Sequence, residues 1–88
     1  MLFRSGESRA TKDMNIVIDQ DETIQVNGEV TEKERLAEKI RQVMVADNTK
    51  NVILEADRSV PHGYVVQVMD IARGQGIEAI AFAKSGEG

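Results

Sequence analysis

Asn51-Val52-Ile53-Leu54-Glu55-Ala56-Asp57, followed after three residues by Pro61-His62-Gly63-Tyr64-Val65-Val66-Gln67-Val68-Met69-Asp70, decides the fold. The first stretch sets Val52, Ile53 and Leu54 in a row, the pattern of a strand buried on both faces. In the second, Pro61 suits the opening turn of a helix, where its missing N–H is not needed. Val65, Val68, Met69 and Ala72 then recur along one helical face. Gly74 and Gly76 offer left-handed positions to end that helix. Residues 77–83 (IEAIAFA) return to strand periodicity, with Ile80 and Phe82 on one face. The segment therefore reads as strand, helix, strand.

Upstream, Thr31-Glu32-Lys33-Glu34 matches a capping box, which predicts a helix start with the Thr hydroxyl accepting from the N–H of Glu34. Leu36, Ile40, Val43 and Met44 supply its apolar face, charged residues fill the remainder, and Asp47-Asn48 closes it. Before it, Ile16 and Ile18 alternate with Val17 and Asp19, and Ile24 and Val26 with Gln25 and Asn27. A polar turn at Gln20-Asp21-Glu22 joins these runs into a hairpin, ended by Asn27-Gly28 because Gly tolerates the positive φ of a tight turn. The order β-β-α-β-α-β predicts an α+β fold, two-layered, with two helices on a mixed four- to five-stranded sheet. Residues 1–13, with Arg4, Ser5, Gly6, Glu7, Ser8, Arg9, Thr11 and Lys12 almost unrelieved by apolar residues, read as a flexible linker. The folded domain is expected over 14–84, and 85–88 as a disordered tail.

With 88 residues the chain holds one core. Its 41% hydrophobic but 3% aromatic content forces that core to be built from Ile, Val, Leu, Met and Ala. Such a core is thin, and self-association is the expected remedy. Cysteine is absent, which removes disulfides and thiolate metal sites. A formal charge of -4 and a pI near 4.9 oppose nucleic-acid binding, which rests on cations neutralising phosphates. No run approaches the roughly 20 apolar residues that cross a bilayer, and Met1-Leu2-Phe3 is too short for a signal peptide core, so the chain as given is expected to be soluble.

Little points to catalysis, and no catalytic residue, metal ligand or cofactor is assigned. His62 is the sole histidine, so no His pair can hold a metal. The carboxylates read mostly as solvated charge. Asp57-Arg58 sits better, between a strand and a helix, where α/β sheets gather functional groups. Ser59 lacks the G-x-S-x-G setting of a nucleophile. Gly74-Gln75-Gly76 follows a helix and precedes a strand, the reverse of a phosphate-binding order, and so reads as helix termination. Tyr64 is expected to pack half-buried, its hydroxyl wet. If Ile80 and Phe82 face the helices, Ala79, Ala81 and Ala83 line the opposite face of the last strand, where small side chains let another chain approach. That face, with strand addition at an exposed edge, is the candidate dimer or partner surface, and Asp57, Arg58, His62 and Tyr64 are grouped with it.

The order of these pieces resembles a known family. Ile16-Val17-Ile18-Asp19, Thr23-Ile24-Gln25-Val26-Asn27-Gly28-Glu29-Val30, the helix, Val52-Ile53-Leu54-Glu55-Ala56-Asp57 and Val60-Pro61-His62-Gly63-Tyr64-Val65-Val66-Gln67-Val68-Met69-Asp70 are similar to the periplasmic domain of ExbD/TolR biopolymer-transport proteins. Gly76-Ile77 resembles that family's entry to the final strand. His62 stands where the family usually has Tyr, and Asp21-Glu22 where it commonly has Asp-Gly. The resemblance implies a domain that dimerises in the periplasm, tethered to an inner-membrane helix within an ExbB/TolQ-like channel and moved by the proton motive force. It also implies engagement of a TonB/TolA-like protein or peptidoglycan. The family's proton-carrying Asp belongs to an N-terminal transmembrane helix, and no residue of this chain matches it. Two other readings compete: a small ferredoxin-like or acylphosphatase-like enzyme using Asp57, Arg58 or His62, and a regulatory or nucleic-acid module, which the acidic charge opposes.

Overall fold

The computed structural model describes residues 13–83. The expected linker, apart from the exposed Asp13, and the expected tail lie outside the described residues. The described chain runs β1 (Met14–Ile18), β2 (Ile24–Val26), β3 (Glu29–Thr31), α1 (Lys33–Asp47), β4 (Asn51–Ala56), α2 (His62–Gly74) and β5 (Ala79–Phe82). These strands form one sheet in the order β3-β2-β1-β4-β5. The hairpin strands pair antiparallel, whereas β1–β4 and β4–β5 are parallel. The architecture is the mixed-sheet α+β fold that the periodicity predicts, with the sheet at five strands.

Residues paired across a ladder share a face, so the register sorts the sheet into two sides. Ile16 aligns with Val26 on one flank and Leu54 on the other, and Met14 aligns with Val52. These side chains are all buried, as are Leu36, Ile40 and Val43 of α1 and Val65, Val68 and Ala72 of α2. Both helices therefore lie over this face, and Val60 and Ile77 close the core at the ends of α2. The other face carries Asn15, Val17, Gln25, Val30, Ile53, Glu55, Ala79 and Ala81, none of them buried. Here the reading of β4 is corrected: Val52 and Leu54 are buried, but Ile53 between them is only half-covered, because no helix of the described residues lies on its side.

Three local expectations also change. Asn27 (φ 52°) and Gly28 (φ 87°) are consecutive left-handed residues, the signature of a two-residue hairpin turn. The chain thus folds back as β3 instead of leaving the sheet, and Val26 aligns with Glu29 and Ile24 with Thr31. That strand claims Thr31, whose hydroxyl donates to the Glu29 carbonyl at 3.1 Å. The capping box does not form: the N-cap of α1 is Glu32, with no side-chain cap bond. At the far end of α2, Gly74 is the last helical residue, and only Gly76 takes a left-handed φ, of 109°. The left-handed turn requires glycine there, and a Cβ on Gly76 would sit 3.3 Å from the Met44 Cε, close enough that the methionine end would have to shift. Asn48, at φ 51°, ends α1 as the sequence suggests.

Candidate functional site

The helices are aligned as well as adjacent. The Lys33 ammonium donates to the Gln67 side-chain oxygen at 2.6 Å, and the Arg41 guanidinium donates to that of Gln75 at 2.9 Å. Both pairs are 34 residues apart, so α1 and α2 run parallel in register and begin at the same end of the molecule. That is the carboxyl end of β1 and β4, where the turn after β1 and the loop after β4 meet. The Asp57 N–H donates to the Ile18 carbonyl at 2.9 Å, which fixes the loop to the strand.

At this end the chain gathers carboxylates. Asp19, Gln20, Asp21 and Asp57 line an open cavity of about 370 Å³. The Ser59 hydroxyl and N–H both donate to Asp57, at 2.5 and 3.0 Å, and hold its carboxyl below the usual range, with the Arg58 charge adding to the effect. Thr23, through its side chain and its N–H, does the same for Asp21. Arg58 and His62 are exposed and do not line this cavity. Asp57, Arg58 and His62 are therefore not brought together around one pocket. Among the described residues no group of three or more His, Cys, Asp or Glu is placed to hold a metal ion.

Tyr64 packs half-buried against the core, as expected, and its hydroxyl has a protein partner besides. Its hydroxyl donates to the Glu22 carbonyl at 3.1 Å, and the Lys33 ammonium lies 5.2 Å from the ring centroid. Burial first, then the nearby Glu22 and Glu34 charges, push its hydroxyl pKa above the ordinary value. One ring thereby ties α2, α1 and the β1–β2 turn. The hydrogen-bond partner lies 42 residues away, and no sequence pattern could have revealed it.

The opposite kind of surface lies on the open sheet face and at β5. Ladder register puts Ala79 beside Asn51 and Ala81 beside Ile53, on the side away from the helices. Ala79 and Ala81 are exposed and Ala83 is half-buried. Ile80 packs against the core, but Phe82, although on the helix side, is 61% exposed because β5 is the last strand of the sheet. The two sheet edges differ in how they are defended. On β3, Glu29 pairs with Lys39 of α1 and Glu32 follows directly. On β5, Ala79-Ile80-Ala81-Phe82 carries no charge or proline within the strand, Glu78 just before it pairs with Lys50, and among the described residues no strand pairs with its outer edge.

No helix of the described residues is long and apolar enough to cross a membrane. Among curated proteins, none matches the chain. The family model for Biopolymer transport protein ExbD/TolR matches residues 4–87, which include every element described above. The chain belongs to the ExbD/TolR family of biopolymer transport proteins.

Proposed function

We propose that this chain is the periplasmic coupling domain of a proton-motive-force-driven complex, anchored in the full-length protein to the inner membrane. In this reading it works as a homodimer, moved by an ExbB/TolQ-type channel, and passes force to a TonB/TolA-type protein or to peptidoglycan. The observation that carries the reading is the uncharged β5 strand, whose outer edge no described strand pairs with, beside an alanine-lined sheet face that no described helix covers. A domain that works by being gripped needs backbone donors and acceptors at an open edge and small side chains that admit another chain. Ala79, Ala81 and Ala83 supply the second, and the outer side of β5 supplies the first. Asp57, Arg58, His62 and Tyr64, at the other end of α2 from the entry to β5, are the rim of this surface only if the partner extends along the sheet.

The test is an isotope-labelled chain titrated with the periplasmic part of a TonB- or TolA-type protein. The reading predicts slowed amide exchange over 79–83 and resonance shifts at Val17 and Ile53, with the outer faces of α1 and α2 unchanged. Binding confined to the helices, or turnover of a small molecule lost on Arg58→Ala, would contradict it.

A further inference from the structure

We infer that Asn27-Gly28 is a spontaneous deamidation site whose reaction is held in check by a two-point clamp on Asn15. The chemistry needs no enzyme, metal or oxidant. The Gly28 backbone nitrogen loses its proton and attacks the Asn27 side-chain carbonyl carbon. A new C–N bond closes a five-membered succinimide, and the side-chain amide leaves as ammonia. Water then opens the ring at either carbonyl, giving aspartate, or isoaspartate with one more methylene in the backbone. Glycine in the following position favours attack because no Cβ shields the nitrogen. Of the asparagines at 15, 27, 48 and 51, only Asn27 precedes glycine.

The geometry sets the rate. Both residues are exposed, and a Cβ on Gly28 would meet nothing within 4 Å, so water and base reach the turn freely. Asn27 is nevertheless held at two points by the same residue. Its N–H donates to the Asn15 carbonyl at 2.7 Å, and its side-chain oxygen accepts from the Asn15 N–H at 2.9 Å. The side chain thus stands in for a strand carbonyl and extends the β1–β2 ladder by one rung. Cyclisation must swing the Asn27 side-chain carbon onto the Gly28 nitrogen, which breaks the second of these bonds. The folded hairpin therefore protects a bond that the unfolded chain leaves reactive, and the reaction proceeds through local opening.

The two products act differently. Aspartate at 27 keeps an acceptor for the Asn15 N–H and adds a negative charge to a chain already at -4. Isoaspartate lengthens the turn that joins β2 to β3 and displaces the Val26–Glu29 register. Ageing at this bond thus loosens the edge strand β3 while leaving the β1–β4–β5 half of the sheet intact.

The test incubates the 88-residue chain in mildly alkaline buffer, with and without urea, and follows amide-to-acid mass gain by peptide mapping and isoaspartate by enzymatic methylation. Mass gain at residue 27 is expected to be several-fold faster in urea, and to vanish at that position in Asn27→Gln. Asn15→Pro, which removes the clamping N–H, is expected to deamidate faster than the parent in native buffer if circular dichroism shows it folded. Should it not fold, the urea comparison decides alone. Equal rates in native buffer and urea would overturn the clamp. Absence of mass gain at 27 in the unfolded chain would overturn the site.

Discussion

The Tyr64 hydroxyl and the Glu22 carbonyl, 42 residues apart, are joined by a 3.1 Å hydrogen bond. Glu22 takes a left-handed φ of 66°, which a glutamate seldom adopts without support. Tyr64 supplies some of that support from the first turn of α2. Tyr64→Phe keeps the ring and loses the bond, and is expected to cost ~0.5–1.5 kcal/mol. Urea unfolding followed by circular dichroism measures it, and an unchanged midpoint would show that the bond contributes nothing.

The same tyrosine predicts an alkaline limb of the stability curve. Its pKa is raised by burial and by Glu22 and Glu34, so the folded state holds the phenolic proton more tightly than the unfolded chain does. Stability is then fully present below the unfolded value near 10 and is lost as pH rises through the folded one. As the chain has one Tyr and no Trp, tyrosinate absorbance titrates this group alone. A folded titration midpoint at or below that of the urea-unfolded chain would contradict the account.

Asp57 predicts the acid limb. Donation from Ser59 lowers its pKa, so its contribution is present above the unfolded value near 3.8 and is lost as pH falls through the folded one. Ser59→Ala removes the hydroxyl donor and is expected to move the Asp57 midpoint, read by carboxyl-carbon resonance, upward toward that ordinary value. No movement would mean that the hydroxyl does not set it.

Two glycines give opposite forecasts. Gly63 is helical and exposed, with nothing within 4 Å of an added Cβ, so Gly63→Ala is expected to stabilise by ~0.4–1 kcal/mol through lost unfolded-state freedom. Gly76, at φ 109°, where an added Cβ would come within 3.3 Å of the Met44 Cε, is expected to lose stability on the same change, chiefly through its backbone. Thermal melts of the two variants settle the contrast. A Leu54→Ala control, at a position 1% exposed in the central core, should lose ~2–5 kcal/mol.

Much of this molecule is visible in periodic sequence. Ile16, Ile18, Ile24 and Val26 announce the hairpin, and Leu36, Ile40 and Val43 the inward face of α1, because burial on one side imposes a period. What is hidden lacks a period. Glu29-Val30-Thr31 is too short, and too exposed on its edge, to show alternation, so β3 is legible only in the turn type of Asn27-Gly28. Thr31 reads as a cap because the motif is local, and the hairpin that recruits it is not. The alanines of β5 are legible as a face, since alternation places them opposite Ile80. The absence of charge within β5 becomes informative only beside β3, whose Glu29 pairs with Lys39.

On the proposed function, the face and edge at β5 are where another chain docks, in the first instance a second copy. Sedimentation of the chain and of Ala81→Lys over a range of concentrations tests it most directly. Ala81 is exposed, so the variant should fold as the parent does. The expected result is a concentration-dependent dimer for the parent and a monomer for Ala81→Lys with unchanged circular dichroism. A parent that stays monomeric throughout, or a variant that dimerises as well as the parent, would contradict it.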